Sequence, residues 1–254
     1  MSVQKRKIWI LTMFEDYFAP LKEFGVLGSA FRNERGSDGF EFELIPVNLS
    51  SFNPKGFKGV DDAPFGGGAG MIMRSDILKE ALYEGIIKPG GYSNIKDELH
   101  IVCPSPRGTV WNDKVARDFA KRTLSKSSNK DLVFICGRYE GIDERFLESY
   151  VDEFLSVGDY ILTGGELATM IILDSSMRFS DGVLGNKLSA EDESFADDKL
   201  EYALYTRPRE FENKTIPDEL LSGDPKKINA FKESSSMDIT TRFRPDLLDK
   251  KTSK

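Results

Sequence analysis

Histidine is nearly absent from this sequence: His100 is the only one in 254 residues. A Ser-His-Asp or Cys-His enzyme would have to use it, and it sits inside the apolar run "LHIVC". A zinc site of two or more histidines is excluded, and two cysteines cannot assemble a Cys-rich one. No lysine directly follows a glycine, so there is no P-loop. Apolar runs are too short to span a membrane. The basic start "MSVQKRKIWILTMF" lacks the long apolar core and small-residue cleavage site of a signal peptide. What remains for chemistry is carboxylates, arginines, hydroxyls and backbone amides. Cys103 and Cys136 each close an apolar run, which reads as buried thiols on neighbouring strands and suits a reducing cytoplasm.

Charge is present in quantity but unevenly spread. The net value is −7, which by itself argues against a nucleic-acid partner. Residues 139–204 hold 16 acidic and 4 basic side chains, a local balance of −12. Residues 103–130 hold 7 basic and 2 acidic, or +5, and residues 224–254 hold 8 basic and 5 acidic, or +3. An acidic middle between basic segments could hold an RNA at its edges and do proton chemistry in the centre. A solvated charged surface gives the same counts.

Candidate strands fall at 7–13, 40–47, 99–103, 132–136 and 160–162. Helical patterns lie between them: "DILKEALYEGI" after Ser75 as N-cap, "WNDKVARDFAKRTL", "DERFLESYVDEF" and "GELATMIILDSSMRF". Strands alternating with helices indicate an α/β fold with a mostly parallel sheet. The boundaries read as a domain over 1–184, a mobile linker over 185–199 and a small helical domain over 200–254. The acidic, turn-rich stretch "SDGVLGNKLSAEDESFADD" leads into that linker.

Three glycine-bearing segments follow strands, at "PSPRG", "GRYEG" and "TGGE", and ligands of parallel sheets sit at the carboxyl ends of strands. Their convergence would make a pocket lined by backbone more than by charge. Gly66, Gly68 and Gly70 in "DDAPFGGGAGM" formally match a dinucleotide fingerprint. However, Asp61, Asp62, Ala63 and Pro64 before them cannot end a central strand. A glycine loop that brings backbone close to a ligand is the better reading.

The combination "VDDAPFGGGAGM", "CGRYEGIDER", "SVGDYILTGGELA", "DSSMRFSDGVLG", "YTRP" and "LLSGDP" resembles the bacterial tRNA (guanine-N1)-methyltransferase family, from about residue 8 to residue 248. The resemblance implies a SPOUT-type α/β domain with a deep C-terminal trefoil knot. It also implies an obligate homodimer with interfacial active sites, a tRNA partner and a cytoplasmic location. The implied methyl donor is S-adenosylmethionine, leaving as S-adenosylhomocysteine. Matching motifs carry its contacts to Pro106, Gly137, Tyr139, Glu140, Val157, Gly158, Asp159, Tyr160, Ile161, Leu162, Gly164 and Gly165. Asp61, Asp62, Arg138 and Glu201 fall on tRNA-facing positions.

The implied target is the guanosine just 3′ of the anticodon. Its N1 carries a proton, so a carboxylate must take it, while an arginine answers the charge that develops towards O6. The family motifs place the arginine at Arg178. The base position, an aspartate in the family, holds Glu193 here, with Asp192 as the neighbouring alternative. Other departures are Ala168 for a usual proline, "PSPRG" for "LSPQG", and Glu201 for aspartate before "YTRP". Magnesium is compatible with the family, but no metal site can be assigned. A silent RNA-binding protein of the same fold, or a knotted methylase acting on another atom, are the competing readings.

Overall fold

The computed structural model describes residues 4–34, 40–53, 55–184 and 193–249. It divides into two compact units, Met1–Gly185 and Asn186–Lys254. Asp192 and the rest of 185–192 lie outside the described residues.

The first unit is built on five strands: β1 (Gln4–Thr12), β2 (Phe40–Asn48), β3 (Leu99–Val110), β4 (Asp131–Ile135) and β5 (Glu153–Ser156). They lie in the order β2-β1-β4-β3-β5, and every neighbouring pair is parallel. Successive side chains leave a strand on opposite faces, and both faces here are apolar. Ile8 and Ile10 of β1, with Leu132 and Phe134 of β4, enter one core. Trp9 and Leu11, with Val133 and Ile135, enter the other. The first core is closed by α2 (Asp113–Phe119) and α4 (Gly165–Met177), through Phe119, Ile172, Leu173 and Met177. The second is closed by α1 (Ser75–Leu82) and α3 (Glu144–Tyr150), through Leu78, Leu82, Phe146 and Leu147. A two-residue ribbon, Asp61–Asp62 with Ile72–Met73, carries the glycine loop between its arms.

Several expectations need correction. Residues 160–162 are not a strand. Gly158 has φ +147°, Tyr160 folds its hydroxyl back to the Val157 carbonyl at 3.0 Å, and both Tyr160 and Ile161 are exposed. The fifth strand is Glu153–Ser156, expected as the tail of the helix "DERFLESYVDEF". That helix stops at Tyr150 because Val151 turns extended (φ −86°, ψ 126°), and Phe154 and Leu155 then pair with Cys103 and Pro104. Strand β3 runs past Cys103 to Val110, with a register shift between Pro104 and Thr109, where the prolines cannot donate to the ladder. The cap of α1 is Arg74 rather than Ser75, its guanidinium paired with Asp76 at 2.6 Å. Ser180 and Val183, which the sequence places in the approach to the linker, are buried, and Val183 belongs to the core.

The second unit centres on α5 (Pro225–Phe243), capped by Asp224, which accepts from the Lys226 amide at 2.9 Å. An extended segment lies along it, held by hydroxyls: Ser236 Oγ donates to the Leu200 carbonyl at 2.6 Å and Ser235 Oγ accepts from the Ala203 amide at 3.0 Å. A small hairpin, Glu210–Phe211 with Lys214–Thr215, is absent from the sequence reading. Its turn places Glu212 and Asn213 at positive φ, 48° and 62°, with no glycine to announce it.

Candidate active site

The site grows from the carboxyl end of β4. Cys136 donates its amide to the Leu11 carbonyl at 2.9 Å, keeping the chain in line with the sheet until Gly137. There the start of α4 comes against it: the Gly165 amide donates to the Gly137 carbonyl at 2.8 Å. A Cβ on Gly165 would lie 2.9 Å from both Cys136 Cα and the Gly137 nitrogen, so only glycine permits this approach. The remaining early amides of α4 have no partner within the helix, the usual state of a helix start.

Beneath this junction sits a buried ion pair. Arg138 Nε lies 2.9 Å from Glu166 Oε2 and donates to Oε1 at 3.2 Å. Thr12 Oγ1 donates to the same Oε1 at 2.8 Å, tying the end of β1 to the first turn of α4. The Arg138 guanidinium also donates to the Thr163 carbonyl at 3.2 Å and lies 4.4 Å from the Phe14 ring centroid. Burial opposes its charge, but Glu166 outweighs that and holds its pKa above the ordinary arginine value. Gly164 leaves the room this pair needs, since a Cβ there would come within 2.3 Å of Arg138 Nε.

Next to this junction the glycine loop is docked on "GRYEG". The Glu140 amide donates to the Met71 carbonyl at 3.0 Å and the Met73 amide to the Gly141 carbonyl at 2.9 Å. Tyr139 sits at φ +59°, half-exposed, with its hydroxyl hydrogen-bonded to Asp61. Burial and then the Asp61 carboxylate push that phenol above its usual value. The Glu140 side chain packs where Gly70 leaves room. Asp62 is exposed and accepts from the Ala63 amide at 2.8 Å.

The segment from Val157 to Leu162 leads from β5 to α4, with Asp159, Tyr160 and Ile161 exposed. Pro106 is exposed in the irregular part of β3 beside β5. Trp111 then fastens this side: its amide donates to the Ser156 carbonyl at 2.7 Å and its Nε1 to Ser175 Oγ on α4 at 2.8 Å. Arg178 closes α4 as its C-cap, over the Phe179 ring at 5.8 Å.

In the second unit, Glu193 and Glu201 line one cleft of about 270 Å³, with Lys199, Tyr202 and Lys232. The Glu201 amide donates to Ser194 Oγ at 2.9 Å, and Lys232 Nζ stands 4.6 Å from the Tyr202 ring centroid. No cluster of three or more His, Cys, Asp or Glu side chains suited to a metal is present among the described residues.

The family profile described as tRNA (guanine-1)-methyltransferase TrmD matches residues 6–250. The chain belongs to this family. It is 38% identical to the tRNA (guanine-N(1)-)-methyltransferase of Lactobacillus delbrueckii subsp. bulgaricus over 242 residues, 95% of this chain and 89% of that one. The Carboxydothermus hydrogenoformans enzyme is 41% identical over 95% of this chain and 87% of its own. That of Endomicrobium trichonymphae is 40% identical over 96% of this chain and all of its own. This is therefore a tRNA (guanine-N1)-methyltransferase, an enzyme.

Within such a methyltransferase the structure brings together Gly137, Tyr139, Glu140, Gly164 and Gly165 through the contacts above. Arg138, expected to face RNA, is turned inward on Glu166, and only 15% of its side chain is exposed. Sequence reasoning missed Glu166 and Thr12. The one signal for Glu166 is a carboxylate in the first turn of an otherwise apolar helix, which reads as a dipole partner rather than a buried anchor.

Proposed function

We propose that this enzyme methylates N1 of the guanosine 3′ of the anticodon, using S-adenosylmethionine and releasing S-adenosylhomocysteine, in the cytoplasm. The observation that carries the reading is the glycine junction, where the Gly165 amide meets the Gly137 carbonyl at 2.8 Å at the start of a helix, whose first amides have no acceptor within the helix. This backbone-lined junction, which a Cβ at Gly165 would force apart, offers amide donors suited to the polar atoms of a nucleoside and amino acid. Gly137, Tyr139, Glu140, Gly164, Gly165 and the strip from Val157 to Leu162, with Pro106 at the edge, are the residues assigned to hold the donor. Bound there, S-adenosylmethionine supplies an electrophilic methyl on its sulfonium.

The protein's share is alignment and proton management. Glu193 is assigned as the base that takes the N1 proton, with Asp192 the alternative, and Arg178 as the group that stabilises negative charge on O6. A splayed base in a single-stranded loop is the accessible form of this substrate. Asp61, Asp62 and Glu201 are assigned to the tRNA, while Arg138, already engaged by Glu166, serves by holding the pocket wall. The reading includes a trefoil knot, a linker over 185–199 and a tRNA-holding unit from residue 200. It also includes a homodimer, supported by half-exposed Leu167 and Ile171 one turn apart on α4 and by Ile161, 82% exposed.

The test is methyl transfer from labelled S-adenosylmethionine to an unmodified leucine or proline tRNA transcript, against one with that guanosine changed to adenosine. Incorporation abolished only by the change supports donor, target and chemistry together. No incorporation despite normal binding of cofactor and tRNA would favour a silent RNA-binding protein.

A further inference from the structure

Phe65 is the most exposed large apolar side chain described, at 102% of its reference area, in a unit where Phe18, Phe40, Phe42, Phe119, Phe134 and Phe146 are all buried. It occupies the second position of a tight turn: the Gly67 amide donates to the Pro64 carbonyl at 3.2 Å, and Gly66 follows at φ +91°. That is the geometry of a type II turn, which needs glycine at its third position and throws the second side chain outward. A Cβ on Gly66, Gly67 or Gly68 would meet nothing within 4 Å, so the tip stands clear of the protein. The base of the loop is the opposite. It is fixed by Glu140 to Met71, Met73 to Gly141 and Arg74 to Val60 backbone hydrogen bonds of 2.9–3.0 Å. A rigid stem joined to the donor-pocket wall thus presents a bare aromatic ring, with Asp61 and Asp62 at its foot.

The two carboxylates repel phosphate, so the feature fits a base and not a backbone. Unpaired bases stack on exposed aromatic rings whatever their identity, and carboxylates accept hydrogen bonds from base edges. Building on the function proposed above, we infer that Phe65 is a stacking platform for an unpaired base of the RNA substrate. It positions the RNA and takes no part in the chemistry.

The experiment uses the full-length enzyme with Phe65→Ala, Phe65→Tyr and Phe65→Trp, after circular dichroism and thermal melting establish native folding. The tRNA dissociation constant is measured with S-adenosylhomocysteine present, together with KM and kcat. Loss of the ring should weaken tRNA binding about ten- to a hundredfold, with kcat and cofactor affinity little changed, and tyrosine should restore it. The tryptophan variant should show indole fluorescence quenched by an unmodified anticodon stem-loop. Wild-type tRNA affinity in the alanine variant would overturn the inference while leaving the methyltransferase reading intact. So would a change of oligomeric state, which would assign the ring to a second copy of the chain. Failure of the unaltered enzyme to bind or methylate tRNA would instead overturn the underlying reading.

Discussion

Arg138 and Glu166 form an ion pair of 2.9 Å that joins the loop after β4 to the first turn of α4, and the carboxylate is fully buried. Removing one member strands the other. Arg138→Ala leaves Glu166 with the Thr12 hydroxyl as its one side-chain partner among the described residues, and the expected loss is about 3–5 kcal/mol of unfolding free energy. Replacing both, as Arg138→Met with Glu166→Leu, should cost less than that single change. Urea unfolding of the variants checks this, and a double variant no more stable than Arg138→Ala would contradict it.

Gly165 and Gly137 make an internal comparison. At Gly165 a methyl would strike backbone atoms at 2.9 Å, whereas at Gly137 the nearest atom is Ile142 Cδ1 at 3.5 Å, an ordinary contact. Overpacking against backbone typically costs 1–3 kcal/mol. Gly165→Ala should therefore weaken S-adenosylhomocysteine binding about ten- to a hundredfold, and Gly137→Ala much less. Calorimetric titration of both variants measures the contrast, and equal affinities would remove the junction from the donor site.

Glu193→Gln keeps shape and removes the basic oxygen. Cofactor affinity should stay unchanged while turnover falls by roughly two to four orders of magnitude, the usual contribution of general base catalysis. Single-turnover assays with saturating tRNA read this directly. Unaltered turnover would transfer the role to Asp192 or another group.

The parallel sheet was legible because β1 and β4 are short continuous apolar runs, as strands covered on both faces must be. The glycine segments were legible because few other residues tolerate such close approach. Other features carried no local signal. The edge strand Glu153–Ser156 is four residues long, and its pairing with β3 exists only once the fold is made. Val183, just before the expected linker, lies among turn formers that carry no core signal, yet tertiary packing buries it. Glu166 became an anchor only through Thr12 and Arg138, which lie 154 and 28 residues away in sequence.

The thiols give a prediction of inertness. Burial pushes Cys103 up to about 12 and Cys136 well above the ordinary thiol value, the latter also through the nearby Glu166 carboxylate. The nucleophile is the thiolate, so neither should react quickly near neutral pH. Ellman's reagent should find no fast thiol in the native enzyme and two after denaturation. A fast native thiol would mean that one of these strands opens.

Glu153 makes the acid limit specific. Its Oε2 accepts from His100 Nε2 at 2.7 Å and its Oε1 from Arg122 at 3.1 Å, binding edge strand β5 to β3 and to the end of the helical segment that continues α2. Burial works against the charge, but His100 and Arg122 prevail and hold the carboxyl below its ordinary value of 4.5. Because the folded pKa is the lower one, the stabilisation is complete above about pH 4.5. It is lost as pH falls from there through the folded value. Asp152 faces the other side of the imidazole, at 3.9 Å from Nδ1, and Asp118 holds Arg122 at 2.6 Å, so both must be intact for the comparison. Glu153→Gln should lower stability at neutral pH and flatten its decline as pH falls below about 4.5, as read from urea midpoints. An equally steep decline in the variant would assign the acid sensitivity to other carboxylates.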